Sequence, residues 1–144
     1  EVDRKKLGAI VFGDPKSLTR LNAIMHPQIH AVIEGRIKGL ERKGQGLVVV
    51  EAALLLEAGW TTLVDEVWVI ASSEEYVIRR LRSRNGMDEQ AIQSRIDSQM
   101  SQRQRLRGAD VVIDNDGDLE DLRLRVTQLW AGRLQAHQET ENSR

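Results

Sequence analysis

Glu66-Val67-Trp68-Val69-Ile70 runs directly into Ala71-Ser72-Ser73-Glu74-Glu75. Apolar residues here follow one another without alternation, as expected of a strand covered on both faces. Ser72 and Glu75 then stand at the spacing of a capping box, which predicts a helix from this point to about Arg84. Two further runs of the same character flank it. Leu47-Val48-Val49-Val50 follows Gly44-Gln45-Gly46, and Asp110-Val111-Val112-Ile113 ends at Asp114-Asn115-Asp116-Gly117. A closing helix then carries Leu119, Leu122, Val126, Leu129 and Trp130. A parallel crossover needs a helix to return the chain, so this alternation predicts an α/β fold with a mostly parallel sheet. Ligands of such sheets sit beyond the carboxyl ends of the strands. The positions after Val50, Ile70 and Ile113 are therefore where a site is expected.

Ahead of the first run, apolar residues recur at helical spacing: Leu7, Ile10 and Val11, then Leu18 through Leu40, with a break near Gly13-Asp14-Pro15. Pro27 falls inside the second helix, beside His26, where loss of a backbone donor predicts a kink. Between the second and third strands, a helix from Asp88 has only Ile92, Ile96 and Met100 as its apolar stripe, which predicts light packing.

The 144 residues carry 21 basic and 22 acidic side chains, a formal net charge of −1, and 40% hydrophobic residues. That balance belongs to a soluble globular protein and calls for neither a nucleic acid nor a membrane as partner. Leu47–Val50 and Ala52–Leu56 are far shorter than the roughly 20 residues that span a bilayer. No cysteine occurs, which excludes disulfide and thiolate chemistry and agrees with a cytoplasmic location. The chain opens at Glu1 and reads as beginning mid-protein.

Several residue groups have chemical potential. Arg79-Arg80-Leu81-Arg82-Ser83-Arg84 puts four guanidinium groups within six residues, with Arg80 and Arg84 on one helical face. Two such forks can grip phosphate oxygens and neutralise charge developing in phosphoryl transfer, while cations near a helix C-terminus also complement its dipole. Arg95, Gln99, Arg103, Arg105 and Arg107 fit either a lid over a triphosphate or a solvated helix face. His26 is either a ligand contact or a structural hydrogen-bonding group. Asn115 and Gly117 follow a strand and could meet an adenine edge, although Asp-Asn-Asp-Gly is also turn material. Glu51 and Glu57 could hold magnesium or cap a helix. No metal-ligand cluster and no Ser-His-Asp arrangement is found.

In order along the chain, Val2-Asp3-Arg4-Lys5-Lys6-Leu7-Gly8 with Val11-Phe12, Leu21-Asn22 with His26-Pro27, Val48 through Gly59, Arg80 and Arg84, Arg95 through Gln99, and Ala109 through Asn115 resemble the dephospho-coenzyme A kinase family. The resemblance spans roughly Val2 to Leu134. Ala53 and Leu56 stand where many members have a proline and an aromatic. It implies transfer of the ATP γ-phosphate to the ribose 3′-hydroxyl of dephospho-coenzyme A, with magnesium as the ion. It implies Arg80 and Arg84 as catalytic residues facing the phosphates, Arg95, Gln99 and Arg105 in the lid, and Asn115 near adenine. His26, Leu54, Leu55 and Glu57 would lie on the acceptor side.

The implied architecture is a partial three-layer fold of the P-loop kinase type over residues 1–136, with a helical lid at about 84–108 and a polar, frayed tail over 137–144. The family's first strand and Gly-Lys-Ser/Thr loop do not occur in this sequence, so the chain is expected to be an inactive fragment. Loss of a central strand would leave sheet edges open to homo-oligomerisation. The alternatives are a nucleotide or nucleoside kinase, or a non-catalytic acceptor-binding or interaction module.

Overall fold

A computed structural model describes residues 2–85, 88–97 and 99–141. They fall into two compact units, Glu1–Asp65 and Glu66–Arg144.

The first unit is helical. α1 (Arg4–Gly13) and α2 (Pro15–Glu41) separate where the sequence predicts. Asp14 takes extended backbone between them, and its carboxylate accepts the amides of Lys16 at 3.2 Å and Ser17 at 3.0 Å and the Ser17 hydroxyl at 2.6 Å. Pro15 follows at the first helical position, where its missing N–H leaves no bond unmade. Pro27 does not end α2, which continues to Glu41. Val11 of α1 is buried, whereas Leu18, Leu21, Ile29, Ile33 and Ile37 along α2 are half-buried.

Gly44 and Gly59 both have positive φ, 75° and 69°. Each closes a helical turn in the same manner. The amides of Gly44 and Gln45 reach Glu41 O and Leu40 O at 2.8 and 3.2 Å, and those of Gly59 and Trp60 reach Leu56 O and Leu55 O at 3.2 and 2.9 Å. This Schellman pairing needs left-handed backbone, which costs a residue with a Cβ about 1–2 kcal/mol. The second closure delivers Trp60 to a buried position at the head of a short 3₁₀ turn, Trp60–Leu63.

Leu47–Val50 corrects one expectation, because among the described residues it belongs to no ladder. A strand exists by virtue of its partner, and the first unit offers no second extended segment among its described residues.

In the second unit, β1 (Trp68–Ala71) and β2 (Val111–Asp114) pair in parallel, Trp68 opposite Val111 through Ala71 opposite Asp114. Asp110 sets that register. Its amide donates to Val67 O at 2.9 Å and its carboxylate accepts the Val67 amide at 2.8 Å. The chain returns between the strands through α3 (Glu74–Asn85), α4 (Glu89–Asp97) and α5 (Gln102–Arg107), and α6 (Leu119–Glu141) follows β2. α5 contacts β1, α6 contacts β2, and α3 contacts α4. Glu66 accepts the Trp68 indole at 3.0 Å and Arg133 Nε at 2.9 Å, which fastens α6 to the entry of β1.

Burial of the strands is one-sided, a second correction. Val69, Val111 and Ile113 are buried, but Ile70 is 50% and Val112 49% exposed. In-register parallel neighbours share a face, so each strand is covered on a different side of the sheet, and two strands with these helices lack the cover for both. α4 packs through its thin stripe: Ile92 is only 1% exposed and Ile96 is half-buried, while Gln93, Ser94 and Asp97 are exposed. It ends at Asp97, and α5 starts separately from a capping box of Ser101 and Gln104. α6 continues past Ala136 to Glu141, while 142–144, within the expected tail, lie outside the described residues.

The hydrogen bonds from Ser17 and then Lys16 hold the Asp14 carboxyl below the ordinary aspartate range. A depressed carboxyl contributes stability above its unfolded pKa and loses it as pH falls through the folded value. The protection of the Lys16 and Ser17 amides, their exchange measured against the intrinsic rate at each pH, should therefore fall at acidic pH, and Asp14→Asn, which keeps an acceptor, should abolish that acid step. An unchanged step in Asp14→Asn would contradict the cap.

Candidate functional site

Ala71 and Asp114 end β1 and β2 side by side, and the loops leaving them are bonded to each other. The Asn115 amide donates to Ala71 O at 2.8 Å, extending the ladder by one residue. The Ser73 amide donates to Asp116 Oδ1 at 2.8 Å, and the Asp116 amide to Asp114 Oδ1 at 2.9 Å. From α6, Arg125 reaches the carboxylate and the carbonyl of Asp114, each at 3.4 Å. Asp118 then starts α6 by accepting the amides of Glu120 and Asp121 at 2.8 and 2.9 Å. The Asn115 loop is thus held by the strand, by the start of α3 and by α6.

Arg80 lies on α3 with its guanidinium turned back to this loop. Nη1 donates to Ser72 Oγ, and Nη2 donates to Asn115 Oδ1 and Gly117 O, all at 3.4 Å. Tyr76 lies one turn earlier, its ring centroid 4.0 Å from the Arg79 guanidinium and 5.8 Å from that of Arg80. Neighbouring arginines are otherwise employed. Arg82 pairs with Glu89 at 3.0 Å, Arg125 with Asp114 and Arg133 with Glu66. Among the described residues no carboxylate pairs with Arg80, so neutral acceptors orient a cation whose charge is not cancelled. Such a group suits an incoming anion.

Two of the expected site residues, Arg80 and Asn115, are therefore brought together. Arg84 and Arg95 have their backbones in α3 and α4, and their side chains lie outside the described residues. Gln99 is exposed between α4 and α5. Arg105 is half-buried in the last turn of α5, and its Nε is shielded from solvent with no hydrogen-bond partner among the described residues. Neither Gln99 nor Arg105 bonds to the Arg80–Asn115 group among those residues. A cavity of about 390 Å³ between β2 and α6 includes Asp114 and Arg125 in its wall, but these charges already satisfy each other.

In the first unit His26 meets Trp60 edge to face, ring centroids 5.6 Å apart at 77°. Leu54, Leu55 and Glu57 occupy the turns over 53–59 that lead to Gly59. Leu55 O accepts the Trp60 amide, so Trp60 connects His26 with this stretch.

The sequence assigns no site role to Ser72, Tyr76 or Trp60. Ser72 was expected to open a capping box, yet Ser73 O accepts the first α3 bond, from Val77 at 3.0 Å, and the Ser72 hydroxyl donates to Asn115 O at 3.2 Å. Its position just after a strand was the available signal. Tyr76 and Trp60 carried none, since an aromatic at helical spacing is ordinary core material.

The family model for dephospho-CoA kinase matches residues 1–121. This chain belongs to the dephospho-CoA kinase family. The dephospho-CoA kinase of Geobacter sulfurreducens is 42% identical over 133 residues, which is 92% of this chain and 68% of the relative. That of Dehalococcoides mccartyi is 42% identical over 134 residues, covering 93% and 68%. Among solved structures, TT1252 from Thermus thermophilus superposes with a TM-score of 0.72 at 30% identity, over 92% of this chain and 68% of the other. The dephospho-CoA kinase from Campylobacter jejuni gives 0.68 at 28% identity, over 95% and 68%. The chain thus spans about two thirds of the length of these relatives, and the matched residues 1–121 include the positions of His26, Trp60, Arg80 and Asn115.

Gly117 lends its carbonyl to Arg80, and a Cβ built on it would stand 2.5 Å from Asp121 Oδ2 and 3.0 Å from Asp121 Cβ. Gly117→Ala should therefore displace this loop and destabilise the protein by about 1 kcal/mol, read from urea unfolding. An unchanged midpoint would show that the loop is free to yield.

Proposed function

We propose that this chain serves transfer of the ATP γ-phosphate to the ribose 3′-hydroxyl of dephospho-coenzyme A, the last step of coenzyme A synthesis. The observation that supports it most is Arg80, a guanidinium oriented by neutral acceptors and left unneutralised at the carboxyl edge of a parallel strand pair. In this reading Arg80 meets the triphosphate, where charge developing on the transferred group is stabilised by preorganised donors. Asn115, bonded to the same guanidinium, lies toward the adenine. Arg84 joins Arg80 at the phosphates, and Arg95, Gln99 and Arg105 belong to a lid over 84–108 that excludes water when it closes.

His26, Leu54, Leu55 and Glu57 take the acceptor side, with Trp60 as the surface that fixes the His26 ring. The kinase domain occupies 1–136. Magnesium would arrive on the triphosphate oxygens, as it commonly does; among the described residues no three His, Cys, Asp or Glu side chains are grouped to hold a metal. A cytoplasmic location and association of copies through open sheet edges are part of the same reading. Among the described residues no helix is long and apolar enough to cross a membrane.

Residues Glu1–Arg144 contain no Gly-Lys-Ser or Gly-Lys-Thr. They therefore lack the backbone cradle, lysine and hydroxyl that position phosphates in P-loop enzymes, and are proposed not to complete the transfer by themselves.

Two measurements on Glu1–Arg144 test this. Titration with ATP, followed by nitrogen-15 NMR, should perturb Asn115 and the Arg80 side chain, and dephospho-coenzyme A should perturb the Trp60 indole more than AMP does. Incubation with both substrates and magnesium should give no product. Turnover of about 1–100 per second, ordinary for kinases, would contradict the proposed incompleteness, and absence of any ATP response at Arg80 and Asn115 would contradict the assignment of the phosphate side.

A further inference from the structure

Ser72 stands where a single hydroxyl reaches both halves of the candidate nucleotide site. Its Oγ is 3.2 Å from Asn115 O and 3.4 Å from Arg80 Nη1. The chemistry allows only one arrangement of protons. Asn115 O and the guanidinium fix it, because a carbonyl can only accept and a guanidinium can only donate. The Ser72 proton must point to Asn115 O, which leaves its lone pairs for Arg80. A directed relay results, from Arg80 Nη1–H to Ser72 Oγ–H to Asn115 O. The second Arg80 nitrogen grips Asn115 Oδ1 and Gly117 O, and Tyr76 packs nearby.

We infer that Ser72 is the positioning residue of this site, a hydroxyl relay that aims the Arg80 guanidinium and couples it to the backbone of the Asn115 loop. The inference rests on the phosphate role proposed above for Arg80, and names the side chain that makes that role sterically definite. A flexible arginine pays several rotors of side-chain entropy when it orders on an anion, and a donor already oriented loses less. Since Ser72 follows β1 and Asn115 follows β2, the relay also ties the two strand-end loops at the point where phosphate and base would be held together. A serine that merely started α3 would have no such consequence. Ser73 supplies the first acceptor of that helix instead.

The test uses Glu1–Arg144 and its Ser72→Ala, Ser72→Thr and Arg80→Ala variants. The first readout needs no ligand: nitrogen-15 NMR of the Arg80 guanidinium, whose rotation about the Nε–Cζ and Cζ–Nη bonds is slowed when its hydrogens are engaged. The second is ATP affinity by titration. Ser72→Ala should speed rotation about the Arg80 Cζ–Nη1 bond toward that of a solvent-exposed arginine, while Nη2 stays engaged by Asn115 Oδ1 and Gly117 O, and weaken ATP by about three- to tenfold, the range of one hydrogen bond. Ser72→Thr, which keeps the hydroxyl, should restore both. Arg80→Ala should weaken ATP at least as much as Ser72→Ala.

An Arg80 Cζ–Nη1 rotation as slow in Ser72→Ala as in the parent chain overturns the relay. Faster Cζ–Nη1 rotation in Ser72→Ala, with ATP affinity unaltered there and in Arg80→Ala, supports the relay while contradicting the phosphate role of Arg80, so the two failures are distinct. Loss of ATP affinity that Ser72→Thr does not restore overturns the hydroxyl as its cause.

Discussion

Everything at the candidate nucleotide site depends on the in-register parallel pairing of two four-residue strands. Each strand side chain could tolerate a neighbour of similar size, but the register is intolerant of a slip. A shift of one residue would turn every side chain of β2 to the opposite face, carrying Val111 and Ile113 out of cover. It would also move Asn115 by about 3.3 Å along the strand, beyond the reach of Ser72 and Arg80. Asp110 resists that slip at the entry through its two bonds to Val67. At the exit the Asn115 amide and the Ser73–Asp116 bond close the other end.

Given that frame, charge and orientation together distinguish Arg80 from Arg82, Arg125 and Arg133. Arg82, Arg125 and Arg133 have carboxylate partners, and surface ion pairs of this kind are worth roughly 0–1 kcal/mol each. Their importance is what they exclude, since a paired guanidinium offers an incoming phosphate much less. Arg80 keeps its charge and its direction together.

Much of this was legible in the sequence where a single element decides its own structure. The break at Asp14-Pro15, the strand cores at Trp68–Ile70 and Val111–Ile113, and the helix after Ser73 follow from capping, β-branched runs and helical spacing. Arg80 could be nominated from the cluster of guanidinium groups on one helical face, and Asn115 from its position after a strand. What the sequence did not disclose were properties held jointly by two segments. Leu47–Val50 has strand composition but needs a partner to become one. Ser72 satisfied a local pattern and was read as a cap, while its hydroxyl is committed to a residue 43 positions away.

The most direct test of the central constraint is the bond from the Asn115 amide to the Ala71 carbonyl, 2.8 Å long and the last rung joining the two strand ends. Through-hydrogen-bond scalar coupling in isotope-labelled protein, together with amide exchange at Asn115, reads it without reference to any ligand. The account predicts a measurable coupling between Asn115 N and Ala71 C′ and an Asn115 amide that exchanges more slowly than those of the exposed turns. A coupling to a different β1 carbonyl, or exchange at the rate of an unstructured chain, would contradict the register on which the placement of Arg80, Ser72 and Asn115 rests.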